Sequence, residues 1–132
     1  METFSIQTPD REIMLDITSQ VYECARKSGI RDGICLVFVP HTTAGVTINE
    51  NADPSVKLDI SSTLKKLIPE GARYRHLEGN ADSHIKASLA GSSVSIIIED
   101  GKMILGTWQG IQFCEFDGPR KRQLIIKVVP DA

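Results

Sequence analysis

The stretch Ser93-Val94-Ser95-Ile96-Ile97-Ile98-Glu99-Asp100-Gly101-Lys102-Met103 decides how this chain is read. Its first seven residues are β-branched or alternating, the signature of a strand. Asp100-Gly101 is a two-residue hairpin signal, since this pair tolerates the positive φ that such a turn demands. Met103 onward is then the returning partner strand. Downstream, Leu105–Phe116 reads as a further strand carrying Gly106, Gly110 and the one tryptophan, Trp108. Glycines inside a strand signal a bulge or the close approach of another group. Asp117-Gly118-Pro119 reads as a second hairpin turn, and Arg120–Val129 as the last strand.

Working upstream, Gly33–Pro40 (GICLVFVP) is the most apolar segment and is expected at the centre of a sheet. Ala44–Asn49 alternates with Val46 and Ile48 inward. Thr3–Thr8 and Glu12–Ile17 are two opening strands. Thr18 is expected to cap a helix over Ser19–Ser28. Asp53-Pro54 is a helix start, with Asp as cap and Pro at the first helical position. Val56, Ile60, Leu64 and Leu67 then recur at helical spacing, so Ser55–Leu67 should cover the sheet. Ser83–Leu89 makes a short helix, closed by Gly91 and capped by Asp82. The whole predicts an α+β fold: a single domain over residues 1–132, mainly antiparallel β-sheet with two to three covering helices.

Composition narrows the function classes. The 132 residues suit one domain with a real core. A net charge of −2 provides no basic field for nucleic acid. No run approaches 18 apolar residues, so no membrane partner is expected. The three cysteines, Cys24, Cys35 and Cys114, form no C-x-x-C pair. They read as free thiols of a cytoplasmic protein.

Polar chemistry concentrates in two places. All three histidines stand in His41-Thr42-Thr43 or in the run from His76 to His84, which alternates as HxExNxDxH. Eight residue steps span about 26 Å as a strand or about 12 Å as a helix. Zinc–nitrogen distances are about 2.0–2.1 Å, so His76 and His84 can share a site only if the chain bends. Gly79-Asn80 is where it can. The bland alternatives are surface imidazoles, solvated turn carboxylates at Glu78 and Asp82, and ordinary strand threonines at Thr42 and Thr43. Arg120 and Arg122 alternate, so on one strand they share a face, suited to a phosphate or to a salt bridge. Trp108 reads as core or interface packing.

Three blocks carry a resemblance: HTTAGVTINENADP (His41–Pro54), HLEGNADSHIKASLAG (His76–Gly91), and GTWQGI with FDGPRKR (Gly106–Arg122). Together they resemble the YjbQ-like family, also described as the secondary thiamine-phosphate synthase family. The resemblance implies a one-domain α+β fold, a homotrimer with polar pockets near subunit boundaries, and thiamine-phosphate synthase activity. That reaction joins hydroxymethylpyrimidine diphosphate to a thiazole phosphate and releases pyrophosphate. Signature positions then fall at His41, Thr42, Thr43, Asn49, His76, Glu78, Asn80, Asp82, His84, Trp108 and Arg120.

Beside that chemistry, each residue takes an expected role. His41, His76 and His84 are candidate metal ligands. Glu78, Asn80 and Asp82 are candidate catalytic groups. Thr42, Thr43, Asn49, Trp108 and Arg120 are candidates for holding substrate and phosphate. Imidazoles favour zinc or another transition metal, whereas magnesium would come with a diphosphate. The expectation is a metal-assisted transferase acting on a small phosphorylated substrate. The rival readings are a metal-dependent hydrolase of a phosphorylated or amide metabolite, and a non-enzymatic trimer that binds a metal or phosphometabolite.

Overall fold

The computed structural model describes residues 1–132. Its elements run β1 (Glu2–Gln7), β2 (Ile13–Asp16), α1 (Thr18–Lys27), β3 (Gly33–Phe38), β4 (Ala44–Glu50), α2 (Pro54–Leu67), α3 (Ala81–Ala90), β5 (Ser93–Glu99), β6 (Lys102–Met103), β7 (Gln109–Glu115) and β8 (Lys121–Pro130). Two antiparallel sheets result. One has the order β1-β8-β3-β5-β6, the other β2-β7-β4. The α+β expectation holds, and β3 is central as its apolar sequence predicts.

The core lies where inward-facing alternate residues of both sheets meet α1. Cys35 and Val37 of β3, Ile96 and Ile98 of β5, and Leu124 and Ile126 of β8 pack with Val46, Ile111 and Phe113 of the small sheet. Val21 and Ala25 seal this core from α1.

Two turn assignments change. Asp100 (φ 51°) and Gly101 (φ 74°) form the expected tight turn. Yet β6 is only two residues long, and the chain then crosses to the small sheet as β7. Likewise β7 and β8 lie in different sheets, so Asp117-Gly118-Pro119 is a crossover and not a hairpin. Local turn chemistry reports that the chain reverses; it does not report which sheet receives it.

Helix starts also divide. Asp53 caps α2 as expected, accepting a hydrogen bond from the Ser55 N–H at 2.9 Å. Thr18 is instead the first residue of α1, and its N–H and hydroxyl both donate to Asp16 Oδ1. Asp82 is not the cap of α3; Asn80 takes that position and Asp82 turns inward. α2 covers the sheet only lightly. None of its residues is fully buried, and Leu67 is 72% exposed.

Candidate functional site

The chain bends at Gly79 (φ 82°), between the two clustered histidines. Only a residue without Cβ adopts that backbone cheaply. The bend brings the His76 and His84 rings to a centroid distance of 5.1 Å in an edge-to-face arrangement. His76 rides on the segment between α2 and α3, and His84 projects from the first turn of α3. Glu78, largely exposed, lies 4.0 Å from His76 Nε2.

His84 stands between two open grooves. The first, about 410 Å³, is lined by His41, Thr42, His84, Ser88 and Ser92, among others. The second, about 500 Å³, is lined by Arg73, Tyr74, Arg75, His76, His84 and Ile85. His84 is the residue common to both grooves, with His41 on the first and His76 on the second. Arg73 and Arg75 are exposed and make no ion pair within the chain. Sequence reasoning missed both. Their signal was the alternating Arg-Tyr-Arg run directly before His76. Tyr74 braces the segment, its hydroxyl donating to the Pro69 carbonyl at 2.7 Å.

His41 is fixed differently. Its Nε2 accepts a hydrogen bond from the Gln123 backbone N–H at 2.9 Å. A backbone amide only donates, so Nε2 carries the lone pair and the neutral ring carries its proton on Nδ1. Burial, aided by the nearby Arg122 charge, lowers the His41 pKa from its ordinary 6.5. The ring is thus a neutral donor whose one lone pair is already engaged. Within one chain no three His, Cys, Asp or Glu groups gather closely enough to hold a metal ion. His76 and His84 together fall short of the three protein ligands of a catalytic zinc centre. The donor set of the single chain therefore does not fit the three-histidine ion expected from sequence.

Several other expected site residues hold the structure. Asp82 is fully buried and bridges Arg11 (Nη2–Oδ1 3.2 Å) and Lys86 (Nζ–Oδ2 3.0 Å). Lys86, equally buried, also meets Glu12 at 2.6 Å. Burial opposes ionisation of Asp82, but the hydrogen bonds from Arg11 and Lys86 hold its carboxyl below the usual range. In this structure Asp82 forms a buried ionic clasp and reaches no solvent. The i,i+4 spacing of Asp82 and Lys86 was the available signal.

Thr43 is buried too, its hydroxyl accepting from Arg122 Nη2 at 2.9 Å. Arg122 is ion-paired to the buried Glu115, which also accepts from Thr8 at 2.6 Å. Arg120, by contrast, is exposed just before β8 and grips Asp117 at 2.8 Å. The two arginines do not share a face. Asn80 Nδ2 also donates to Asp117 at 2.8 Å, while its buried Oδ1 has no partner.

Asn49 and Trp108 lie elsewhere. β4 runs from Ala44, beside the histidine grooves, to Glu50, and its neighbour Asn51 binds the Trp108 carbonyl through its N–H at 2.8 Å. Six strand steps separate the two ends by about 20 Å. Trp108 is 63% exposed, which corrects its packing role within the core. Gly110 fulfils the expectation of close approach: a Cβ there would meet the Asn51 side chain at 2.6 Å.

Comparison with known proteins fixes the lineage. The family profile described as UPF0047 protein YjbQ-like matches residues 2–131. The chain belongs to the YjbQ-like UPF0047 family. It is 56% identical to a UPF0047 protein of Methanocaldococcus jannaschii over 97% of this chain and 93% of that protein. It is 49% identical to the UPF0047 protein YugU of Bacillus subtilis, covering 98% of each. Among solved structures, an uncharacterised YjbQ/UPF0047 protein of Clostridium acetobutylicum superposes with TM-score 0.96 at 53% identity, covering 98% of this chain and all of the other. A YbjQ-like protein of unknown function from Sulfolobus solfataricus gives 0.94 at 32% identity over 98% and 96%. No helix of this YjbQ-like chain is long and apolar enough to cross a membrane.

Proposed function

We propose that the surface bordered by His41, His84 and His76 binds a small phosphorylated substrate and transfers a group from it with loss of pyrophosphate, as a thiamine-phosphate synthase does. The observation that carries this reading is the pair of unpaired guanidiniums, Arg73 and Arg75, beside two imidazoles on one groove. Guanidiniums match phosphate oxygens with two parallel hydrogen bonds. Fixed positive charge aimed at the departing pyrophosphate stabilises the charge developing there. Thr42 lines the adjoining groove and offers a hydroxyl donor, and His41 offers a neutral Nδ1–H. His84, between the grooves, is placed to take or give a proton, with His76 against it and Glu78 nearby.

The expected divalent metal survives only as a companion of the substrate. An ion carried in on diphosphate oxygens would find the imidazoles of His76 and His84, and magnesium suits those oxygens better than zinc. The homotrimer is kept on the strength of exposed apolar side chains around the site. Leu77 is 95% exposed, Leu89 66% and Ile85 40%, which in a monomer would stand in water. A cytoplasmic setting is kept because all three cysteines are free thiols.

The test is release of pyrophosphate from hydroxymethylpyrimidine diphosphate and thiazole phosphate, in the native chain and in His84→Ala. Turnover that depends on both substrates and falls at least a hundredfold in the variant supports the reading. Turnover with water alone identifies a hydrolase, and saturable binding without turnover identifies a binding protein. Either result overturns the transferase.

A further inference from the structure

A cavity of about 210 Å³ lies between the last turns of α1, the bend that leads into β3, and the β5–β6 turn. It shares no residue with either histidine groove. Ile98, which lines it, stands six strand steps from Ser92 of the first groove, about 20 Å along β5.

The floor of the cavity is apolar. Ala25 and Ile98 belong to the main core, and Met103 packs against that core from the position opposite Ile98 across β5 and β6. Tyr22 adds an aromatic ring at the side. The charge is one-sided: Arg26 and Arg31 line the cavity, and no carboxylate does. Arg26 gives Nε and Nη2 to Glu23 at 3.1 and 2.5 Å, and Arg31 gives Nη2 to Asp100 at 2.6 Å. Both pairs are exposed, where such contacts add little stability. Each guanidinium keeps Nη1 without a partner in the chain. An incoming carboxylate therefore finds unengaged donors at the rim. The frame around them is braced. The Gly101 N–H donates to the Arg31 carbonyl at 2.9 Å, and the Asp100 N–H donates to Asp32 Oδ1 at 3.0 Å.

Size narrows the ligand. An apolar cavity of about 150 Å³ takes benzene, and the larger volume here admits one such ring together with a carboxylate. We propose that this cavity is a second ligand site, built for a monocyclic aromatic carboxylate, with the ring on Ala25, Ile98 and Met103 and the carboxylate at Arg26 and Arg31. Charge-assisted hydrogen bonds hold the anionic end, and burial of the ring against the core supplies the rest. Pyrophosphate has no apolar part to place on that floor, so this site is chemically distinct from the one at the histidines. The inference does not depend on the reaction assigned there.

Benzoate is the probe. It is titrated into the full native chain while the backbone amides are followed by NMR, with and without inorganic pyrophosphate. Saturable shifts centred on residues 22–31 and 98–103, unchanged by pyrophosphate, are the expected result. Arg26→Gln/Arg31→Gln should weaken benzoate about tenfold, with the amide spectrum away from the cavity unaltered. Benzyl alcohol, the same ring without the charge, should bind the native chain about as weakly as benzoate binds the variant. No saturable shift, shifts that map to the histidine grooves, or equal affinity in the double variant overturns the proposal. Benzyl alcohol binding as tightly as benzoate, or displacement of benzoate by pyrophosphate, overturns the aromatic carboxylate as the ligand class.

Discussion

At the scale of single residues, His41 shows how a backbone donor can decide side-chain chemistry. The Gln123 N–H occupies its Nε2 lone pair, so the proton sits on Nδ1. Nitrogen NMR of the imidazole should report the Nδ1–H form and a pKa below the ordinary 6.5. An Nε2–H form would contradict the geometry. The buried carboxylates supply a second residue-scale outcome. Burial raises the pKa values of Asp82 and Glu115, but the hydrogen bonds from Arg11 and Lys86, and from Arg122 and Thr8, lower them further. Their folded values therefore lie below the unfolded ones, and the unfolded chain takes up protons first as pH falls. The stability they contribute is complete above about pH 4.5, the higher of the two ordinary values, and declines below it. Urea midpoints measured from pH 7 to pH 3 should fall in that lower window. Arg122→Met should cost about 3–5 kcal/mol, because it leaves the Glu115 carboxylate buried without its partner. A loss under 1 kcal/mol would show that the pair carries little.

At the scale of elements, the close packing of β7 on the residue after β4 has a sharp consequence. A methyl group at position 110 would stand 2.6 Å from the Asn51 side chain. Gly110→Ala should destabilise by about 1–3 kcal/mol, the usual cost of overpacking. Adding Asn51→Gly, which removes the Cβ and Cγ that a methyl at 110 would meet, should recover part of that loss in a double-mutant cycle, and simple additivity would contradict the clash. Much of the element list was legible from sequence. Alternation marked β1 and β4, apolar or β-branched runs marked β3, β5 and β8, and Asp53-Pro54 fixed the start of α2, because these signals are local. The crossings at 104–108 and 117–119 were not, since the choice of sheet depends on long-range packing. The same limit applies to the site. Gly79 announced the bend that joins His76 to His84, yet nothing local showed that Asp82 would turn inward to Arg11 and Lys86. Arg73 and Arg75 escaped notice because charged residues in a connecting segment usually face water with no partner to find.

At the scale of the whole molecule, the basic histidine end is held in place by clasps on both sides. Arg11 binds Glu70 at 2.7 Å before the segment, and Asn80 binds Asp117 after it. Between these clasps the chain carries Arg73, Arg75 and His76 with little regular structure, the kind of connection in which binding residues concentrate. The account stands on this segment and α3 forming an anion site. Isothermal titration with inorganic pyrophosphate, comparing the native protein with Arg73→Ala/Arg75→Ala, tests that most directly. The account predicts one saturable site per chain, weakened at least tenfold in the double variant while urea unfolding stays unchanged. Equal affinity in both proteins, or no saturable binding by the native chain, would contradict it.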